Sequence, residues 1–428
     1  MRVGFVCSTS TQVEMFAPVM DAIASLEGSD FLWISLDQYY RWDAERALQD
    51  LGTKYVSLGK GVAGRRFLDM PLPAMYWHLL TDVRGEICSL LARQELDVLL
   101  FGNDRGLIEK LFVRLARAHD VKTLLVQDGI LWSNEVRTFD FRRRFDNTAS
   151  ALLRDFAKEI LSRVLRTLGL FYLAPSYLGQ GGCDLIAVMG ESSKRLLIAR
   201  GVEPERIIIT GQPRYDRFLR LADVSSELKD RLHLPTGRLT VSMFTSAYLS
   251  ILRSDSAQRQ QEELVNNLIR YIEQRHWQRI YLLLRPHPRE SAGNYQVASE
   301  SPCVRIVKEV GSLEIIAASD LVISVPSTII VETCLFGKPL IVMRVGVRDS
   351  VSRLLGLSSN TFLEVDNFGE LTDYLDQILS TQPIQQKFAS HTCRELVFIA
   401  PEGAAHRIAS LVTKLVQGTR LATYHFEP

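Results

Sequence analysis

None of the six cysteines (Cys7, Cys88, Cys183, Cys303, Cys334, Cys393) stands two residues from another. The paired spacing of a structural zinc site or a redox dithiol is therefore missing, and scattered single thiols in apolar runs fit a reducing compartment better than a disulfide-held scaffold. No apolar run reaches the ~18 residues needed to cross a bilayer. A strand-like run opens at Arg2 with no basic and then apolar leader ahead of it, so no secretory signal is expected and the expected location is cytoplasmic. Neither sign of charge dominates: Lys+Arg 50 against Asp+Glu 49 leaves +1, which argues against nucleic acid as a partner. Asp-x-Asp, GxxxxGK[ST], HExxH and GxSxG are all missing. Their absence disfavours metal-bridged sugar transfer, P-loop ATP hydrolysis, zinc hydrolysis and a serine nucleophile, so neither a metal nor a cofactor is expected.

What is present is an ordinary globular composition, 46% hydrophobic and 23% charged, over 428 residues, enough for two or three domains. Apolar runs of four to seven residues alternate with helix-period stretches, the pattern of parallel strands buried on both faces by crossover helices. Thirteen strands are predicted, beginning at Arg2, Phe31, Lys54, Asp97, Lys122, Asp184 and Arg206 in the first half. Those of the second half begin at Leu239, Arg279, Val304, Leu321, Leu340 and Thr361. The fold class is α/β: two Rossmann-like, doubly wound domains facing each other across a cleft. The first is placed at 1–212 with an insert near 140–180, a linker at 213–237, and the second at 238–428, its last helix a candidate to pack back on the first domain.

Ligands of such sheets bind beyond the carboxyl ends of the strands, so residues there are the candidates. After Leu321–Val325, Pro326-Ser327-Thr328 turns into a short helix whose first turn offers free N–H groups and two hydroxyls, suited to a phosphate or to an ordinary N-cap by Ser327. Glu332, one turn further, is placed to reach a ribose or to form a structural salt bridge. Arg285 and His287 end another strand, the histidine held between prolines that fix the backbone and so where both side chains point. Thr245 and Ser246 follow the strand that starts at Leu239, and Arg214 follows the strand that starts at Arg206. In the first half, Asp128-Gly129 ends a strand as a general base facing the cleft or as a plain Asp-Gly turn. Ser8, Thr9, Asn103 and Asp104 stand at neighbouring strand ends as acceptor contacts. Gly59 to Gly64 matches the dinucleotide pattern without the helix that pattern requires, so Lys60, Arg65 and Arg66 are read as a basic loop for an anionic acceptor.

Residues 142–168 carry seven basic and three acidic side chains, with Leu152, Phe156, Ile160, Val164 and Leu168 on one helical face. Such a segment fits an anionic membrane surface at the inner face of the cell, or an inserted helix packed on its own domain or on a second copy of the chain.

Several of these residues together resemble the GT-B superfamily of nucleotide-dependent glycosyltransferases. Cys183-Asp184-Leu-Ile-Ala-Val, then Gly201-Val202 and Ile207 to Asp216, is similar to the domain-joining stretch of CDP-glycerol glycerophosphotransferases and related capsule enzymes. Glu402-Gly403-Ala-Ala-His406-Arg407-Ile408 is similar to their last helix. Asp128-Gly129, His287-Pro288 and Ser327-Thr328 also resemble the three short motifs of bacterial sialyltransferases and polysialyltransferases. Gln127 stands where those enzymes carry a first acid, and Asp128 where the glycerophosphotransferases usually carry histidine.

The resemblance implies an inverting, metal-independent glycosyltransferase of surface polysaccharide or glycolipid synthesis. Asp128 would deprotonate an acceptor hydroxyl held by the first domain. Arg285, His287, Ser327 and Thr328 would stabilise the departing phosphate of a CMP-, CDP- or UDP-linked donor in the second. Three alternatives stay open: glycerophosphotransfer from CDP-glycerol, a UDP-N-acetylglucosamine 2-epimerase-like enzyme drawing on Glu14, Asp104 and Glu332 as further acids, and a non-catalytic nucleotide-binding subunit.

Overall fold

The computed structural model describes residues 1–25, 28–59, 67, 70, 72–133, 160, 164, 167, 176–217, 225–248, 254–287, 290, 292–295, 298, 300–347, 349–357, 362–380, 395–399 and 401–418. Lys60, Arg65, Arg66, and all of 142–168 except Ile160, Val164 and Thr167, lie outside them. Ile160 and Val164 are each 48% exposed.

Thirteen parallel strands form two sheets among the described residues. The first contains β1 (Arg2–Cys7), β2 (Asp30–Ser35), β3 (Tyr55–Ser57), β4 (Val98–Phe101), β5 (Lys122–Val126), β6 (Leu185–Val188) and β7 (Ile207–Ile209). Their spatial order is β3-β2-β1-β4-β5-β6-β7. The second contains β8 (Leu239–Phe244), β9 (Ile280–Arg285), β10 (Val304–Ile306), β11 (Leu321–Ser324), β12 (Leu340–Met343) and β13 (Leu363–Val365), in the order β10-β9-β8-β11-β12-β13. Each predicted strand is found, with ends displaced by a residue or two, as is usual where a ladder frays into a loop.

The strands read as apolar runs because both faces are covered. Val3, Phe5, Leu100 and Leu124 enter a core on one face of the first sheet, while Val6, Ile34, Leu99 and Leu125 enter another on the opposite face. The period of two that sorts them is the strand's own. The second sheet divides likewise, Val241 and Leu282 on one side, Leu283 and Val322 on the other.

Both sheets reverse direction once, between β1 and β4 and between β8 and β11. Where the strand order reverses, the connections leave two adjacent parallel strands in opposite directions and open a crevice at their carboxyl ends, the ordinary ligand position of doubly wound folds. Helix α1 (Ser10–Ala24) rises from the first crevice. In the second half, α2 (Ser225–Arg231) sets Leu228, with Leu232 just past its end, against Ala317 and Ala318 at the end of α4 (Ser312–Ala318). Residues 225–232 thus pack on the second domain, leaving a short crossing around 211–217. Helix α3 (Asp255–Tyr271) covers the face of Val241 and Leu282, and α5 (Ile329–Leu335) follows β11.

The last helix, α6 (Ala404–Val416), lies on the first domain, its Ala405, Ile408 and Val412 buried with residues of α1. Burying one such aliphatic side chain contributes about 2 kcal/mol. Two chain segments therefore join the halves, and they touch. Gly211 has φ +86°, and a Cβ there would stand 2.4 Å from the carbonyl oxygen of Phe398 on the returning segment, so both the backbone and the close approach require glycine. No described helix is long and apolar enough to cross a membrane.

Candidate functional site

Past the end of β5, consecutive side chains separate into one that holds the fold and one with an oxygen left over. Gln127 turns inward, its Nε2 donating to the Gly129 carbonyl at 2.9 Å and to Ser193 Oγ at 3.0 Å while its Oε1 accepts from the Met189 N–H at 2.9 Å. Gln212, at the domain crossing, donates to the carbonyls of Gln127 (2.7 Å) and Asp128 (3.0 Å). The turn is pinned from both sides, and its next side chain is Asp128.

The Asp128 carboxylate accepts from Gln12, with Arg214 and Arg105 nearby. Burial pushes its pKa above the usual carboxylate range, and the two cations pull it part of the way back. Its Oδ1 is buried with no hydrogen-bond partner, which in a carboxylate is a costly vacancy that a substrate proton would fill. Gln12 is held by Ser8, whose N–H and hydroxyl both donate to its Oε1 at 2.8 and 3.2 Å. Gly102 leaves it room, since a Cβ at that position would stand 2.6 Å from the Gln12 side chain.

Arg214 carries the site across to the second domain. Its Nη2 lies 3.2 Å from Glu332 Oε1, and its Nε lies 3.9 Å from Glu14 Oε2. Glu332, in the first turn of α5, has a side chain only 2% exposed, and its Oε2 has no hydrogen-bond partner. Burial raises its pKa and Arg214 opposes the rise. Burial also works against the charge of Arg214 itself, but Tyr215, Glu332, Asp128 and Glu14 together hold its pKa above the ordinary value. Glu14 is 67% exposed, so its share is screened. One guanidinium thus lies near two carboxyl groups, one from each domain: half-buried Asp128 and buried Glu332.

The second domain offers hydroxyls and shaped backbone. Thr328 stands at the start of α5 without a side-chain capping bond and is exposed, while Ser327 Oγ lies 3.2 Å from Ser324 Oγ. The N-cap explanation for these residues is therefore not what the geometry shows. The His287 N–H donates to Thr245 Oγ1 at 3.1 Å and to Glu290 Oε2 at 3.0 Å. Among the described residues no group of three or more His, Cys, Asp or Glu could hold a metal ion.

Several residues expected at the site serve the fold instead. Asp104 is fully buried, and its two oxygens accept from the N–H groups of Gly179 and Gly181, both at 2.8 Å, so it is not an acceptor contact. Ser8 is spent on Gln12, and Thr9 accepts from the Gln12 N–H as the N-cap of α1. Asn103 Oδ1 accepts from the Arg105 N–H at 3.0 Å in a local turn. Thr245 gives its hydroxyl to Glu290, and it is buried. Arg285 donates to the carbonyls of Val307 (3.1 Å) and Lys308, fastening the segment after β10. Ser246, two residues past β8, has its backbone fixed from α3. Sequence reasoning missed Gln12, Gln212 and Glu290. Only Glu290, an acid directly after Pro286-His287-Pro288-Arg289, carried any local signal.

A model of the family described as UDP-N-acetylglucosamine 2-epimerase matches residues 182–390. No curated protein matches the sequence. UDP-GlcNAc 2-epimerase from Neisseria meningitidis, solved with UDP-GlcNAc bound, is 13% identical with a TM-score of 0.58, over 98% of this chain and 100% of its own. The Methanocaldococcus jannaschii UDP-GlcNAc 2-epimerase, solved with UDP-GlcNAc and UDP, is 14% identical with a TM-score of 0.58, over 96% and 99%. A variant of the wall teichoic acid polymerase TagF is 12% identical with a TM-score of 0.55, over 98% and 89%. At such identities the shared property is the fold, the two-domain α/β arrangement of GT-B type, which epimerases and polymerases alike adopt.

Proposed function

We propose that the protein acts on a UDP-linked N-acetylhexosamine of the UDP-N-acetylglucosamine class, with 2-epimerase-like interconversion as its reaction. The diphosphate would lie at the strand ends of the second sheet, by Ser327 and Thr328, and the sugar against Asp128. The observation that carries this reading is Arg214, which pairs with buried Glu332 and lies near enough to half-buried Asp128 to lower its pKa, across the domain boundary. Inversion at C2 needs a base to remove the C2 proton as UDP leaves C1, and an acid to return a proton to the opposite face as UDP adds back. Two carboxyl groups beside one shared cation, each pushed upward by burial and pulled back by Arg214, are the candidates for these two roles. The family match supports the nucleotide-sugar class, because it spans the whole second sheet.

Inverting transfer to an acceptor hydroxyl is the second reading. It is favoured by Asp104, an acid the epimerase reading would have drawn on, being locked beneath two glycine N–H groups, whereas transfer asks for Asp128 alone. Incubation with UDP-N-acetylglucosamine in D2O, without acceptor, separates the two. Interconversion gives deuterium at C2 and UDP-N-acetylmannosamine in the proton spectrum. Intact C2–H, with UDP released only when a glycan or glycolipid acceptor is added, gives transfer. No thermal shift with UDP or its sugars would sink both. Contact of residues 142–168 with anionic lipid is a separate proposal, supported by the half-exposed Ile160 and Val164. It requires salt-sensitive flotation on anionic and not on neutral liposomes.

A further inference from the structure

Glu290 gathers more hydrogen bonds than the turn it sits in needs. Its Oε2 accepts from the Thr245 hydroxyl and from the His287 N–H at 3.0 Å. Its Oε1 accepts from Gln258 Nε2 at 3.0 Å, Gln261 Nε2 at 2.9 Å and the Tyr295 hydroxyl at 2.8 Å. Thr245, Gln258, Gln261 and Tyr295 are all buried, so their donors have exchanged water for this one carboxylate. Gln261, on α3, extends the hold: its Oε1 accepts from the Ser246 N–H at 2.7 Å, and its Nε2 also donates to the Ser246 carbonyl at 2.9 Å. Thr245 and Ser246 follow β8, the strand beside the crevice of the second sheet, and His287 follows the neighbouring β9.

We infer that Glu290 is a positioning residue that sets both loops, after β8 and after β9, in the shape that receives the nucleotide diphosphate. It need not touch the nucleotide. The inference rests on the nucleotide-sugar reading above for what the loops receive, but the hold on the loops stands on the hydrogen bonds alone. Charge and shape are both needed, because every neighbour of the two oxygens is a donor. A glutamine amide at 290 has one oxygen and one NH2. Turned one way, its NH2 meets the His287 N–H, which cannot reverse. Turned the other way, it meets the amides of Gln258 and Gln261, and Gln261 cannot flip without releasing Ser246. Either orientation leaves a buried donor facing a donor.

The test uses the full-length protein and Glu290→Gln, with two readouts: amide hydrogen exchange of the segments holding Ser246 and His287, and the dissociation constant for UDP by calorimetry. The expected result is exchange at least tenfold faster in both segments and UDP affinity reduced at least tenfold, while the rest of the molecule keeps its protection. Unchanged exchange, or faster exchange with unchanged UDP affinity, overturns the inference. If the unsubstituted protein does not bind UDP but the exchange result holds, the nucleotide-sugar reading fails and the hold on the loops survives. Should Glu290→Gln not fold, the isosteric Thr245→Val decides. It removes one donor to Glu290 and one acceptor of the His287 N–H, and it must still accelerate exchange at His287.

Discussion

The carboxyl ends of the two sheets handle polar side chains in opposite ways. In the first domain most are consumed by the fold: Asp104 by two glycine N–H groups, Gln127 by three backbone and side-chain partners, Ser8 by Gln12. Asp128 is left with a bare buried oxygen. In the second domain the consumed groups, Glu290 and Gln261, lie behind the loops, and exposed Thr328 with half-buried Ser327 is left at the front. The first edge presents one carboxylate with a bare oxygen in a rigid frame, and the second presents a shaped surface. That division suits a reaction in which the first half supplies Asp128 to the proton chemistry, while the second holds the leaving diphosphate and adds Glu332 from behind its surface.

If the division is right, Asp128→Asn has the largest effect. Turnover should fall by ~10^3 or more, within the usual contribution of a general base, while UDP binding measured by calorimetry stays within about twofold. A comparable loss of UDP affinity would break the division. Arg214→Met comes next. It strips the buried Glu332 carboxyl of its cation, which costs about 3 kcal/mol of stability in urea unfolding. The same change has a kinetic signature. Arg214 lowers the pKa of Asp128 against the burial that raises it, so its removal lets that pKa climb. The acidic limb of kcat/KM should then move to higher pH, and a limb that stays in place would show that Asp128 is not the group being titrated.

Glu109 tests the fold-holding side of the comparison. It is buried, accepts from the Tyr40 hydroxyl at 2.6 Å, and burial pushes its pKa up to about 7. A carboxyl whose folded pKa lies above its unfolded value, near 4.5, contributes full stability below the lower value. That contribution is lost as pH rises through the upper one. Glu109→Gln should therefore remove most of the fall in stability between about pH 4.5 and 7, roughly 3 kcal/mol at most, and leave turnover per folded molecule unchanged. Urea midpoints at pH 5 and pH 8 check the first part. A loss of turnover would place Glu109 on the chemical side.

The strands and the candidate base were legible in the sequence for different reasons. Thirteen apolar runs announced thirteen strands because parallel sheets bury both faces, so a run such as Leu321 to Ser324 has no polar alternation to blur it. Asp128 and Thr328 stand out in the sequence as candidates because strand ends face ligands. What could not be read was which strand-end polar groups are already spoken for. Asp104 and Asp128 look alike in sequence, each a carboxylate just past a strand. Only tertiary pairing, with Gly179 and Gly181 75 and 77 residues away, separates the acid spent on the fold from the one left with a bare oxygen. Arg214 and Glu332 are likewise 118 residues apart, and no local pattern links them. Glu290 was hidden because its role is to receive donors from three other segments.

Thr328→Ala gives the smallest effect and the finest test. Its hydroxyl caps nothing in α5, so its loss should leave the unfolding midpoint where it is, whereas loss of a true N-cap costs about 1 kcal/mol. If the hydroxyl serves a phosphate oxygen, UDP affinity should fall roughly fivefold, the equivalent of one modest hydrogen bond. Affinity for uridine, which has no phosphate, should not change. A parallel loss for uridine and UDP would move Thr328 from the diphosphate to the nucleoside. A lowered midpoint with unchanged affinity would return the residue to the fold, and the second edge would then resemble the first.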